Sequence, residues 1–329
     1  MALLDIRHLS ITINTPHGQF KALDRVSLLI NEGEIRGLLG ESGSGKSLIA
    51  KAIIGATKSN WTVTADRFRL NGIDLLKLSS RKRRKVVAQE IGIIFQEPSS
   101  YLDPSIKIDK QLKFNLSNST YNGKWWKRFK WKSTYLKQMM HKVGIRNYKV
   151  LMNSYPHELT EGECQKIMII MAIANKPKII IADDPTNGLD IVTEDQIFRL
   201  LNKMNQINKT SILLISHDLN RVINIAHKIT VLYCGQTVES GTNKAVTSEP
   251  HHPYTKALLN AIPSFNTNLP HKSKLTTLKG SVPPMEALPI GCRLGPRCPY
   301  AQRKCVEIPP QTKLKNHKFF CHFPLNLKS

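Results

Sequence analysis

"GLLGESGSGKSLIAKAIIG", residues 37–55, sets the end of an apolar strand, a glycine-rich turn and a helical run one after another. From Gly40 to Ser47 it fits G-x-x-x-x-G-K-S, with the strand "EIRGLLG" (34–40) ahead of it and a helix behind, the context in which this pattern binds phosphate. The residue types supply the chemistry. Gly43 and Gly45 let the backbone N–H groups of the loop Glu41, Ser42 and Ser44 curl around an anion, Lys46 adds a point charge for the terminal phosphates, and Ser47 offers a hydroxyl to Mg²⁺. The helix that starts here turns its positive end toward the same anion. A chance match in a glycine-rich turn would not be expected to bring all the fixed positions and both flanks.

A phosphate loop of this kind needs an acid at the end of a second strand to hold the Mg²⁺ shell, and "KIIIADDPTNGLD" (178–190) supplies one. Ile179, Ile180 and Ile181 read as a buried strand. Asp183 and Asp184 follow at its carboxyl end, where open α/β sheets place their ligands. Asp183 is the expected metal residue, and Asp184 is placed to polarise an attacking water. A third apolar strand, "TSILLISHD" (210–218), ends in His217, where the ring can reach a γ-phosphate or serve as a structural histidine.

Composition bounds the rest. The chain has 329 residues, 41% of them apolar, enough for a globular core and for one large domain plus a smaller piece. Asp5 and Arg7 stand where a secretory signal would need its apolar stretch, and no apolar run reaches the roughly 18 residues of a membrane span, so a cytoplasmic protein is expected. Lys and Arg number 48 against 24 Asp and Glu, a net charge of +24 that favours an anionic partner, nucleic acid or the inner face of a membrane, unless it is only a scattered lysine coat.

"GESGSGKS", "IIFQEPSSYLDP" (93–104), "IIIADDPTNGLD" and "LLISHDL" stand in the order and spacing of the ATP-binding subunits of ABC transporters, and residues 1 to about 245 resemble that family. The resemblance implies an α/β P-loop NTPase fold of ABC type: a RecA-like mixed-sheet core, an N-terminal antiparallel β subdomain and a helical subdomain at about 97–165. It implies that Gln96 contacts Mg²⁺ and the attacking water. It makes Asn187, Gly188, Leu189 and Asp190 the D-loop, which crosses to a second ATPase. The adenine-stacking aromatic of the family lies in a segment matched here by "HGQFKALDRVS" (17–27), so either His17 or Phe20 is the expected ring.

Two positions depart from the family pattern. The family's Ser-Gly-Gly signature, which closes over the γ-phosphate held by the other ATPase of a dimer, is matched by Leu159, Thr160, Glu161, Gly162 and Glu163 of "LTEGECQK". Thr160 keeps a hydroxyl and Gly162 a close backbone approach. Glu161 stands where a glycine is expected, and like charges a few ångströms apart repel by about a kilocalorie or more in a partly dry site. Asp184 stands where most members carry glutamate, which draws the carboxylate back by about a bond length, and errors near 1 Å can cost on the order of a hundredfold in rate. The two departures fall in two different composite sites, which argues for a heterodimer with a distinct ATPase. Against this, an aspartate can act as general base, and Glu161 can turn to solvent.

The tail, "HHPYTKALLNAIP" (251–263), "KGSVPPMEALPIGCRLGPRCPYAQRKC" (279–305) and "HKFFCHFP" (317–324), resembles the C-terminal extension of the dipeptide and oligopeptide transporter ATPases, which places residues 246–329 in a separate extension. "ELTEGECQK" resembles the branch of that group associated with peptides and cationic antimicrobial peptides. Cys164 and Cys234 read as small buried residues. Cys292, Cys298, Cys305 and Cys321 crowd the tail at spacings of five, six and fifteen residues, without the paired C-x-x-C of a common structural zinc site. The related ATPases imply a [4Fe-4S] cluster on these four thiolates. Zinc, with His317 or His322 as further ligands, or reduced thiols with no metal, are the alternatives.

These resemblances predict an ATP- and Mg²⁺-dependent ATPase that energises a peptide importer, peripheral on the cytoplasmic face of the inner membrane. Its expected partners are a second, different ATPase, two permease subunits and, indirectly, a periplasmic binding protein. "SSYLDP" (99–104) is where a permease coupling helix would press. Polyamine transport by the same chassis, and a soluble ABC ATPase acting on nucleic acid, are the other readings, the latter disfavoured because the chain has one cassette and no long coiled coil. "YNGKWWKRFKWKS" (121–133) interleaves Trp125, Trp126, Phe129 and Trp131 with basic residues, which suits a headgroup surface, a nucleic acid, or a helix whose aromatics face its own core. "SSRKRRK" (79–85) reads as a solvated charged turn.

Overall fold

The computed structural model describes residues 2–16, 18–121, 123–216, 218–262 and 278–327. In chain order the elements begin with β1 (Ala2–Thr15), β2 (Gly18–Asn31), β3 (Ile35–Leu39), α1 (Lys46–Ile54), β4 (Trp61–Thr64), β5 (Arg67–Leu70) and β6 (Ile73–Asp74). There follow α2 (Ser80–Glu90), β7 (Ile91–Ile94), α3 (Ile108–Asn115), α4 (Arg128–Lys142), α5 (Tyr148–Asn153), α6 (Glu161–Ala174), β8 (Ile179–Asp183), α7 (Ile191–Asn208) and β9 (Ser211–Ile215). The chain then runs through α8 (Leu219–Ile225), β10 (Lys228–Tyr233), β11 (Gln236–Thr242), α9 (Asn243–Ser248), α10 (Pro253–Asn260), β12 (Gln311–Leu314) and β13 (His317–Phe320).

Two units emerge, one comprising residues 1–31, 35–78 and 214–329, the other 32–34 and 79–213. In the first, β1 pairs antiparallel with β2, β4 and β5. Along β1, Leu4 and Ile6 are buried, and after a register shift between Ile6 and Leu9 so are Leu9 and Ile11. The same unit contains β3, parallel to β10, followed by β11, β13 and β12 in antiparallel order. All five residues of β3 are buried, Arg36 among them.

The last two strands attach the tail to the sheet, and a buried carboxylate anchors that attachment. Glu239 of β11 is fully enclosed and accepts from the His251 N–H at 2.7 Å, the His252 N–H at 3.0 Å and the His317 ring at 2.6 Å. Burial alone would push this carboxyl up, but His317 and the other donors outweigh it and hold it below the usual carboxylate range.

In the second unit β7 and β8 run parallel, and Ile179 to Ile181 are buried as a strand covered on both faces should be. Helices α3, α4, α5 and α6 pack together around Leu112, Leu136, Met140, Leu151, Ile167 and Ile170. Each such residue, fully buried, contributes roughly 1.5–3 kcal/mol of transfer free energy. "SSRKRRK" lies mostly in α2, a helix with only Val87 buried, instead of a turn.

Candidate nucleotide-binding site

In the first unit the phosphate loop leaves β3 at Gly40 and enters α1 at Lys46. Gly40 has φ 153°, and a Cβ there would stand 2.2 Å from the Leu232 carbonyl oxygen, so the turn needs glycine. Gly43 has φ 76° with nothing within 4 Å of its Cβ position, a cradle that a side chain would fill and a phosphate can enter. Gly45 is the N-cap of α1 in a left-handed conformation, with no side-chain cap and no acid in the first turn, so the positive end of the helix dipole meets the loop without a competing carboxylate. Ser44 is buried, and Ser47 is half-buried beside Lys46. The Lys46 Nζ donates to the Gly40 carbonyl at 2.8 Å and the Glu41 carbonyl at 2.9 Å, which holds the ammonium across the mouth of the loop.

The loop is gripped by residues that no motif predicted. The Glu41 N–H donates to the Tyr254 hydroxyl at 2.7 Å. Arg297 makes a two-pronged bond to the Glu41 carboxylate, 2.8 Å and 3.2 Å, and reaches the Tyr233 hydroxyl at 3.3 Å. The bonds to Glu41 raise the Arg297 pKa, while burial pushes Tyr233 up to about 12. Arg293 bonds Asp24 at 3.1 Å and the Cys234 carbonyl. The only sequence signal for these ties is that two arginines interleave with cysteines in "CRLGPRC", since their partners lie 59 to 269 residues away.

In the second unit Asp183 ends β8 and is 6% exposed. Asp184 follows with φ 45°, a left-handed conformation that aspartate tolerates better than most residues. Gln96 is exposed in the bend after β7, next to Phe95, whose ring stacks on Tyr101 at 3.8 Å. Burial, Asp183 and Glu97 together push the Tyr101 phenol up. His217 lies outside the described residues, as does His17; Phe20 is half-buried on β2 opposite Ile13.

The paired acids around Gly162 have separable jobs. Thr160 is the N-cap of α6, its hydroxyl accepting from the Glu163 N–H at 3.2 Å while the Glu163 carboxylate accepts from the Thr160 N–H at 2.9 Å. This is a capping box, and it engages Glu163 and the Thr160 hydroxyl within the helix end. Glu161 remains, and its side chain runs beside Gly188: a Cβ built there would be 3.4 Å from the Glu161 Cγ. Gly162 in turn would bring a Cβ to 3.4 Å from both the Gly188 carbonyl and Leu189, so the structure brings together the segments expected as signature and D-loop. Asp190 caps α7 through Thr193, whose bonds hold its carboxyl below the usual range. The buried Gln165 donates to the Pro185 carbonyl at 2.7 Å and ties α6 to the segment after Asp184.

In the tail, Cys292, Cys298, Cys305 and Cys321 line one cavity of about 10 Å³ with His322 and Phe323, space for roughly one water. Burial pushes the Cys292, Cys298 and Cys321 thiols up, Cys321 to about 11, and each is raised further by other thiols of the group. His322 Nδ1 is buried there without a hydrogen-bond partner. The donor chemistry suits a thiophilic metal, but no three or more His, Cys, Asp or Glu among the described residues are positioned to hold one. His317, expected as an alternative zinc ligand, is instead committed to Glu239. Cys164 and Cys234 are buried core residues as read.

Strand, glycine loop and helix start define a P-loop nucleoside triphosphatase. Residues 23–187 match the family described as ABC transporter, and residues 238–305 match the oligopeptide/dipeptide transporter C-terminal region. The chain is 57% identical over 328 residues to the peptide transport system ATP-binding protein SapD of Salmonella typhimurium, covering 100% of this chain and 99% of that one. It is 56% identical to SapD of Haemophilus influenzae, covering 100% and 94%. The ATP-binding cassette MJ0796, solved as a dimer in a post-hydrolysis state with ADP and Pi, superposes with a TM-score of 0.61 at 26% identity over 73% of this chain and 98% of that one. The chain belongs to the ATP-binding subunits of ABC transporters, in the group that carries the peptide-transporter C-terminal region. Neither polyamine transport nor action on nucleic acid is favoured by these similarities. No described helix is long and apolar enough to cross a membrane.

Proposed function

We propose that this chain hydrolyses ATP to drive a SapD-type peptide importer from the cytoplasmic face of the inner membrane. The observation that carries the reading is identity of 57% along the whole chain to a peptide transport ATP-binding protein. Residues 1–245 form the cassette and 246–329 the extension. Lys46 and the positive end of α1 bind the terminal phosphates; Ser47 and Asp183 hold Mg²⁺, which when bound supplies charge neutralisation at the phosphates. Asp184 accepts a proton from the attacking water, Gln96 contacts that water, His217 reaches the γ-phosphate, and Phe20 or His17 supports the adenine.

A second, different ATPase of SapF type, two permeases and, indirectly, a periplasmic binding protein complete the assembly. Support for a second cassette comes from Ile191 and Val192, which are 78% and 68% exposed directly after the D-loop. We read the four tail cysteines as ligands of a [4Fe-4S] cluster, supported by their lining one pocket together.

The test is ATP turnover of the complex isolated with its own membrane subunits. Wild type should hydrolyse ATP and Lys46→Ala should not, and equal turnover would overturn the reading. Isolation should also yield two permeases and a distinct ATPase; a homodimer would exclude the asymmetric assembly. Anaerobically purified chain should carry about four irons, lost on Cys298→Ser, whereas zinc or no metal would sink the cluster.

A further inference from the structure

Between Asp109 and Glu158 the chain has no acidic residue and eleven Lys and Arg. In the middle of this stretch the structure divides the aromatics into two groups. Trp131 is turned inward: it packs against Tyr121 at 4.9 Å and stacks on Tyr135 at 5.1 Å, and the Tyr135 hydroxyl donates to the Ala174 carbonyl of α6. Lys132 is also spoken for, donating to the Lys113 and Leu116 carbonyls at the end of α3. Trp125, Trp126 and Phe129 face out, 75%, 58% and 74% exposed, at the start of α4.

Three large rings left in water on one helix end are unusual for a surface that serves only its own fold. The charges around them are as telling. Lys124, Lys127, Arg128 and Lys130 gather where the helix dipole already places positive charge, and no acid stands in the first turn, the reverse of what stabilises a helix by itself. The arrangement becomes favourable once an anionic surface is present.

We propose that Trp125, Trp126 and Phe129, ringed by Lys124, Lys127, Arg128 and Lys130, dock on the headgroup region of an anionic phospholipid bilayer. Aromatic rings settle at the depth where headgroups meet acyl chains, and the basic side chains meet the negative surface potential above them. A single-stranded nucleic acid would need open ring faces for its bases. Here the Lys124 ammonium sits over Trp126 at 5.3 Å, and Trp125 meets Trp126 edge-on at 5.8 Å. A protein partner is disfavoured because lysine is depleted from protein interfaces, whereas this patch is built from it.

The inference goes beyond energising transport, and vesicle binding is read separately from ATP turnover, so each can fail alone. Full-length chain is sedimented with vesicles of phosphatidylcholine alone or mixed with phosphatidylglycerol, at rising salt, alongside Trp125→Ala/Trp126→Ala/Phe129→Ala. Wild type should partition onto the phosphatidylglycerol vesicles only, less at high salt, and the variant should bind about tenfold more weakly with unchanged melting temperature. As a second check, charge reversal at the exposed Lys124 and Lys127 should weaken binding to the same vesicles. Equal partitioning of variant and wild type, or no binding by either, overturns the proposal. So does binding by these residues to single-stranded DNA or to a detergent-purified permease without any to vesicles.

Discussion

Replacing Arg297 with alanine removes both bonds to Glu41 and leaves a carboxylate in the phosphate loop without its ion-pair partner. The Arg297 side chain is 9% exposed and that of Glu41 30%, so water recovers part of what Glu41 loses. Bonds to charged groups contribute about 1.5–3 kcal/mol each before such recovery, and removing one partner of a fully buried pair costs about 3–5 kcal/mol. For this half-sheltered pair a loss of about 2 kcal/mol in unfolding free energy follows. The freed negative charge also lies next to where triphosphate binds, and an ATP affinity about tenfold lower, about 1.4 kcal/mol, is expected. Urea unfolding and fluorescent-nucleotide titration read the two effects separately. Glu41→Gln in the Arg297→Ala background should recover ATP affinity and part of the lost stability, because it removes the unpaired charge. Equal stability losses from Arg297→Ala in wild-type and Glu41→Gln backgrounds would mean no coupling and would refute the reasoning.

Two further outcomes are expected. His252 is enclosed, and burial draws its pKa down to about 4, so from about pH 6.5 downward the unfolded chain takes up a proton that the folded chain refuses. Stability should fall by about 3 kcal/mol between pH 6.5 and pH 4, and His252→Asn, which keeps a cap for the Tyr254 N–H, should flatten that fall in thermal scans across pH. Asp184→Glu should raise turnover of the assembled complex by extending the carboxylate toward the water, while the left-handed backbone at this position costs the longer residue about 1 kcal/mol of stability. A turnover that is unchanged or lower, with the expected stability loss, would show that the shorter acid is already well placed.

Local chemistry was legible in the sequence. The strand, turn and helix around Gly40 to Ser47 follow from residues within twenty positions of one another, and the structure forms each of them. The N-terminus of α6 carried a further signal, Thr160 followed three residues later by Glu163, which is the signature of a capping box and explains one of the two acids without any reference to nucleotide. What could not be read were pairings between distant segments. Nothing in "PRCPY" tells that Arg297 will hold Glu41, because the charges of both have many alternative partners until the sheet is built. The aromatic cluster at 121–133 divides for the same reason: only the packing of α4 against α6 decides that Trp131 goes in while Trp125, Trp126 and Phe129 stay out.

Glu239 has a consequence for how the chain is made. Its carboxylate is satisfied by donors at 251, 252 and 317, so the strand that contains it leaves the ribosome well before the last of its partners does. Synthesis proceeds from the N-terminus, and domains generally fold as they emerge. Until residue 317 arrives, β11 either remains open to water or encloses a charge that lacks one of its donors. A chain stopped early, even one with every nucleotide motif in place, carries that defect permanently and offers an unfinished sheet edge at β11 to chaperones and proteases. The final strands thus make completion of the polypeptide a condition for closing the sheet around Glu239.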